Sequence, residues 1–297
     1  MNVFATNKEM QVQLARVSGF CGDDGKFGVS GAIALAQEAA LSEPGKVYLI
    51  GELVHNQHVT NWLEKSYQLK IVSKLEEVPK KSIVIVKAHG APPSFFAQAQ
   101  EKELRLVDAT CPMVKAAQEL VKALAAQGKE IIFVASQKNH DEAISVSQQV
   151  ENGVRVVTLD ELDQLNIKTP EKTVVLTQTT LSILETQEKF AALQKKYPQL
   201  IIRPHMCPAT TARQKAVLEL AKTADVLIVV GAAHSSNSKR LQEVAANTGK
   251  PSYIVDNVTE LKQEWFEDNI FQVGVIAGAS TPSWITDEVV KKLESWS

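Results

Sequence analysis

Residues 111–143 read CPMVKAAQELVKALAAQGKEIIFVASQKNHDEA. Behind the Cys-Pro start, Met113–Ala126 repeats its apolar residues at helical spacing, and Ile131–Ala135 is a short apolar run of strand type. The strand ends in a polar loop that carries His140 and Glu142. The same order of cysteine, helix, strand and polar loop occurs twice more. Cys21 stands before GVSGAIALAQEAA and VYLIGELVHNQHV, and Cys207 opens CPATTARQKAVLELA, with VLIVVGAAHSSNS after it. A second strand and loop completes each copy: IVIVKAHGAPPSF, VVLTQTTLS and VGVIAGASTPSW.

The offsets agree from copy to copy. His89, Thr179 and Ser280 follow Cys21, Cys111 and Cys207 by 68, 68 and 73 residues. The cysteines themselves are 90 and 96 residues apart. A period this long means repeated domains, because solenoid units run to about 20–50 residues. The expected domains are 1–109 with the N-terminal segment, 110–206, and 207–297 with the C-terminal tail. The first copy carries extra residues, GDDGKF, between Cys21 and Gly28. Two Asp and two Gly predict an exposed, flexible loop there.

The strand candidates Val47–Ile50, Ile83–Lys87, Val174–Thr177, Val226–Val230 and Val273–Ala277 are apolar nearly throughout. Strands of a parallel sheet covered on both faces read this way. Alternation with helices over Val29–Ala40, Ile183–Lys195, Ala212–Lys222 and Lys239–Asn247 predicts an α/β fold. Ligands of such sheets bind beyond the carboxyl ends of the strands, where all the polar loops fall. Three small α/β domains in pseudo-threefold arrangement would aim those loops and cysteines at one centre.

Composition narrows the function classes. The formal net charge is −2, which gives no electrostatic basis for nucleic-acid binding. No apolar run approaches the ~20 residues of a membrane span. MNVFATNKEMQ lacks the apolar core of a signal peptide. Three distant cysteines do not form a disulfide framework, so a reducing cytoplasm is expected.

Each candidate residue has an ordinary reading beside the chemical one. A lone Cys is usually a small buried hydrophobe. Equivalent placement of Cys21, Cys111 and Cys207 argues instead for a shared metal or iron–sulfur site. Structural zinc wants four ligands, commonly with a C-x2-C pair, and the chain has none. Three thiolates with one open position suit an iron–sulfur cluster. His55, His89, His140 and His234 all fall in strand-end loops, where imidazole donors suit an anion with several oxygens. Ser235, Ser236, Asn237 and Ser280 sit where helices begin. Capping explains them, and so does phosphate binding at a helix N-terminus. No Walker or G-x-G-x-x-G motif is present. Glu142 is either a dipole partner of its helix or a proton donor in a closed cleft, with Thr179 as relay.

These motifs resemble those of the 4-hydroxy-3-methylbut-2-enyl diphosphate reductase family over nearly the whole chain. The matching segments are GFC at 19–21, GELVHNQHV at 51–59, KAHGAPPS at 87–94, DATCPMV at 108–114, TQTTLS at 177–182, CPATTARQ at 207–214, SSNSKRL at 235–241 and AGASTP at 277–282. The resemblance implies three α/β domains around a [4Fe-4S] cluster held by Cys21, Cys111 and Cys207. It implies diphosphate contacts from His55, His89, His140, Ser235, Ser236, Asn237 and Ser280, and proton handling by Glu142 and Thr179. The implied reaction removes an allylic hydroxyl reductively, with ferredoxin or flavodoxin as donor, and makes isopentenyl and dimethylallyl diphosphate. The chain departs from the family pattern in three places. GDDGKF is extra, Gly31 stands where a basic residue is usual, and Asn139-His140-Asp141-Glu142 replaces G-H-P-E. Rival readings are a paralogue acting on another small phosphorylated allylic substrate, a cluster-based redox sensor, and a metal-free phosphosugar-binding protein. The sensor would need an output module, and no DNA-binding segment is evident.

Overall fold

A computed structural model of the chain describes residues 10–22, 27–266 and 270–296. Most of the extra loop of the first copy, residues 23–26, lies outside them, so its expected flexibility stands untested. The chain opens with β1 (Gln11–Leu14), α1 (Gly28–Ser42), β2 (Val47–Ile50), α2 (Gln57–Tyr67), β3 (Lys70–Val72), β4 (Ile83–Val86), α3 (Pro93–Glu101) and β5 (Arg105–Asp108). The second stretch holds α4 (Pro112–Ala126), β6 (Glu130–Val134), α5 (Asp141–Ser147), β7 (Val154–Val157), β8 (Thr173–Thr177), α6 (Ile183–Lys196) and β9 (Ile201–Arg203). The third holds α7 (Pro208–Leu220), β10 (Val226–Val230), α8 (Ser236–Ala246), β11 (Ser252–Val255), β12 (Gln272–Ala277) and α9 (Ser283–Glu294).

These strands make three four-stranded sheets, ordered β3-β2-β4-β5, β7-β6-β8-β9 and β1-β12-β10-β11. Every strand pair is parallel. The fold is α/β, as the alternation of elements predicts. The central strands β4, β8 and β10 are buried along their whole length, which explains why they are built of Val, Ile, Leu and Thr with no charged residue. By backbone proximity the chain divides into two compact units, Met1–Phe20 with Ala212–Ser297, and Cys21–Thr211.

In the second unit, the first two sheets share one internal order. A fourth strand, β5 or β9, lies at one edge and leads directly to a cysteine, Cys111 or Cys207. In the other unit the same edge is filled by β1, which pairs with β12 in the register Gln11↔Gln272 to Leu14↔Val275. Residues 11–14 thus complete the third sheet, although they precede the first in sequence, and they too lead to a cysteine, Cys21.

Phe133 is fully buried in β6 among Val121, Val146 and Leu176. Phe133→Ala should cost about 3–5 kcal/mol, the usual range for removing a core ring. Its urea midpoint against that of the parent chain checks this.

Candidate functional site

The three cysteines all belong to the unit Cys21–Thr211; none is in a disulfide and all are partly buried. Cys111 is the N-cap of α4, and Cys207 directly precedes α7. Their amides are pinned in the same manner, Cys111 N–H to the Ala88 carbonyl at 2.9 Å and Cys207 N–H to the Thr179 carbonyl at 3.0 Å. Cys21 Sγ accepts from the Val29 amide in the first turn of α1 at 3.3 Å. That approach depends on Gly28, whose φ is +64° and where a Cβ would lie 2.8 Å from Cys21 Sγ. Burial pushes the Cys111 thiol up to about 11, against the Met113 and Val114 amides, and the Cys21 and Cys207 sulfurs push it further in the same direction. The Cys21 and Cys207 sulfurs are therefore near enough to Cys111 to disfavour its thiolate. A metal centre removes that penalty, since it binds thiolates and drives off their protons. The donor set is soft and all-sulfur, and it fits iron–sulfur chemistry.

Beside the sulfurs in chain order stand the loops after β2, β4, β6 and β8. They bring His55, His89 and His140 together. His55 and His89 stack with ring centroids 4.0 Å apart, and His140 stands edge-on to both, at 5.2 and 5.6 Å. Burial lowers the His89 pKa well below the usual imidazole range, with further lowering from His55, His140 and Lys87. Burial likewise lowers His140 to about 4, helped by His55 and Lys87 and opposed by Asp141. These two rings are neutral at pH 7. His89 Nδ1 is buried with no hydrogen-bond partner, a cost that a bound ligand would remove. His140 Nδ1 accepts from the Glu142 amide at 3.1 Å, which assigns the ring proton to Nε2. Gln178 Nε2 lies 3.3 Å from that nitrogen. Two donors so close together suit an acceptor such as a phosphate oxygen.

Glu142 is fully enclosed at the start of α5. Both carboxyl oxygens accept from Thr179, Oε1 from the backbone amide and Oε2 from the hydroxyl, each at 2.8 Å. Burial raises its pKa to about 7, and the two Thr179 bonds only partly offset it. Thr179 thus holds Glu142 with its donors and Cys207 with its carbonyl. The carboxyl can take and release a proton near neutral pH without solvent contact.

In the other unit, Ser235 caps α8 by accepting from the Ser238 amide at 3.5 Å. Ser235, Asn237 and Ser280 are buried, and Ser236 is partly so. Both polar side-chain atoms of Asn237 lack partners, as does Ser238 Oγ. Buried and unpaired, they are set for a polar ligand at the helix start. The loops after β10 and β12 meet here. A Cβ at Gly278 would lie 2.2 Å from Ser238 Oγ, and Thr281 Oγ1 donates to the Val230 carbonyl at 3.0 Å.

Sequence reasoning picked out the histidines, Glu142 and Thr179 but passed over Gln178, Lys87 and Asp141. The signal for Gln178 was a buried amide inside TQTTLS at a strand end; it accepts from the Ser136 amide and hydroxyl at 2.8 and 3.0 Å. His205 is structural, with its amide bonded to Thr177 Oγ1 and its Nε2 2.8 Å from the Met113 carbonyl. His234 is exposed.

Known proteins share this frame. A reductase from Plasmodium falciparum, acting on E-1-hydroxy-2-methyl-but-2-enyl-4-diphosphate by its name, superposes with a TM-score of 0.88 at 31% identity, over 95% of this chain and 87% of that one. A solved (E)-4-hydroxy-3-methyl-but-2-enyl diphosphate reductase, described as the terminal enzyme of the non-mevalonate pathway, superposes at 0.65 and 30% identity, over 96% and 99%. The chain is also similar to the 4-hydroxy-3-methylbut-2-enyl diphosphate reductases of Acidothermus cellulolyticus, 37% identical over 94% of this chain and 81% of that one, and Neisseria meningitidis, 38% over 95% and 87%. The model of the LytB protein family matches residues 12–294, from the N-terminal edge strand into the last turn of α9. With that match running through all three sheets and every cysteine, the chain belongs to the LytB protein family.

Proposed function

We propose that the chain reduces (E)-4-hydroxy-3-methylbut-2-enyl diphosphate to isopentenyl and dimethylallyl diphosphate. The balance is one allylic hydroxyl, two electrons and two protons in, and one water out. One observation carries the residue assignments: a buried carboxyl with its pKa near 7, held through both oxygens by Thr179, which also holds Cys207. That is the geometry of a general acid beside a thiol-lined site.

On this reading Cys21, Cys111 and Cys207 hold a [4Fe-4S] cluster. When bound, the cluster would supply the two electrons and a Lewis-acidic iron for the departing oxygen. The chain's own residues bind, orient and protonate. His55, His89 and His140 give donors to the diphosphate, and Ser235, Ser236, Asn237 and Ser280 have the same role in the reading. Holding the diphosphate fixes the allyl group for reaction. When Glu142 carries its proton, its O–H donates to Thr179 Oγ1, and the Thr179 hydroxyl is free to donate to the substrate oxygen. Departure of that oxygen as water then takes the relayed proton. The three-domain division at 110 and 207 is part of the same reading, each boundary falling just ahead of a ligand cysteine.

The electron donor is proposed to be ferredoxin or flavodoxin. No helix among the described residues is long and apolar enough to cross a membrane.

The test is anaerobic turnover of the named diphosphate with reduced viologen, with both isoprenoid products quantified. Turnover with both products is expected. Binding without reduction by iron-replete protein would overturn the assignment.

A further inference from the structure

One ion pair joins two of the histidine loops. Lys87, just after β4, donates from Nζ to Asp141 Oδ2 at 2.6 Å, across 54 positions of sequence. The two side chains are 28% and 31% exposed. Asp141 is the residue that stands where the family pattern has Pro, between His140 and Glu142. Its carboxylate and ring nitrogens of His55 and His89 lie within 4.8 Å of one another. A negative charge therefore sits inside the group of imidazoles that the proposed reading gives to a diphosphate. Uncompensated, it would repel phosphate oxygens. With two imidazoles beside it, it would instead form a two-His, one-carboxylate set of the sort that takes a divalent transition metal. Lys87 occupies that carboxylate and cancels its charge.

We propose that Lys87 masks the Asp141 carboxylate, and that this masking is what keeps the His55–His89–His140 group able to accept a diphosphate. The inference rests on the reading of those histidines given above. Its signature is the sign of each charge change. Lys87→Met unmasks the carboxylate and weakens diphosphate binding. Asp141→Asn leaves an extra cation and strengthens it. The double variant is again neutral and returns to the parent value. A pair that only braced the two loops would make all three variants worse.

The probe is inorganic pyrophosphate, titrated calorimetrically into anaerobic, iron-replete protein. Lys87→Met should bind roughly 10- to 50-fold more weakly, from the repulsion expected at several ångströms near a protein surface. Lys87→Arg should restore binding. Asp141→Asn should bind several-fold more tightly than the parent. Lys87→Met with Asp141→Asn should lie within about threefold of the parent. With the diphosphate substrate, KM should follow the same order and kcat should move less. A double variant as weak as Lys87→Met overturns the masking, as does a Lys87→Met variant with parent affinity. If Lys87→Met fails to fold by circular dichroism, Asp141→Asn decides alone, since weaker binding there overturns the proposal. Parent protein that binds pyrophosphate but does not turn over the substrate would sink the proposed reaction and leave this series standing. Parent protein that binds no pyrophosphate would sink both.

Discussion

Glu142→Gln is expected to bind the diphosphate substrate normally and to lose turnover by about 10²- to 10⁴-fold, the contribution typical of a positioned general acid. Gln keeps the shape of the side chain. Its carbonyl can still accept from the Thr179 amide, and its amide can donate to Thr179 Oγ1, so the Glu142–Thr179 contact at 2.8 Å has a neutral substitute. Only the transferable proton is gone. The pH profile separates this from a packing defect. With a pKa of about 7, the acid form of Glu142 is half populated near neutrality, so parent turnover should fall as pH rises above 7. That limb should be missing in the variant.

Stability should move the other way. The raised pKa means the folded chain binds a proton that the unfolded chain, with its ordinary value of 4.5, releases earlier. The associated stability is fully present below about pH 4.5 and lost as pH climbs through 7. The shift corresponds to roughly 3 kcal/mol. Glu142→Gln should therefore be more stable than the parent at pH 8, by up to that amount, and gain little at pH 5. Anaerobic urea unfolding at both values checks it. Wild-type turnover, or a gain independent of pH, would reduce Glu142 to a partner of the α5 dipole. A buried acid that is costly to fold and necessary for reaction is the trade-off expected of an active site.

Cys111→Ser should be the second large effect. Burial and the other two sulfurs hold this thiol up at about 11, so its ionisation depends on a metal centre. A serine hydroxyl is a hard, weakly acidic donor and cannot replace a thiolate on iron. Anaerobic preparations of the variant should lose most of their iron, sulfide and visible absorbance, with turnover below about 1% of the parent. If Cys111 were only a small buried residue, serine would cost stability alone and leave the iron content intact. Parallel results for Cys21→Ser and Cys207→Ser are expected, because all three cysteines belong to the same unit. Full iron retention in any of the three would remove that residue from the shared site.

Much of this was legible in the sequence, for definite reasons. Val226–Val230 and Val174–Thr177 are buried on both faces, so their composition alone marks them as central parallel strands. The nearly even spacing of the cysteines, 90 and 96 residues, revealed the repeat. The edge strands were not legible. Lys70–Val72, Arg105–Asp108 and Ile201–Arg203 are three or four residues long and half exposed, which leaves no clear period to read. Gln11–Leu14 is mostly exposed, and its hydrogen-bonding partner lies at Gln272–Val275. No local pattern announces such a pairing. The site divides in the same way. His89, Thr179 and Ser280 sit at repeat-equivalent loop positions and could be found by counting. Lys87 and Asp141 follow strands of two different sheets, β4 and β6, and 54 residues of chain separate them, so no local pattern announces their meeting.

The placement of β1 has a consequence for biosynthesis. The ribosome delivers Gln11 261 residues before its partner Gln272. At 5–20 residues per second, that leaves the first strand waiting roughly 13–50 s. During that interval the segment leading to Cys21 has no sheet to join, while strands β2–β9 are made in turn and complete their two sheets. Nascent chains arrested once residue 211 has cleared the exit tunnel should therefore show a protease-sensitive leader ahead of protected β2–β9. The leader should become protected only once β12 clears the exit tunnel. A fast-folding protein fused ahead of Gln11 would tether the very strand that must arrive last, and such fusions should mature more slowly than C-terminal ones.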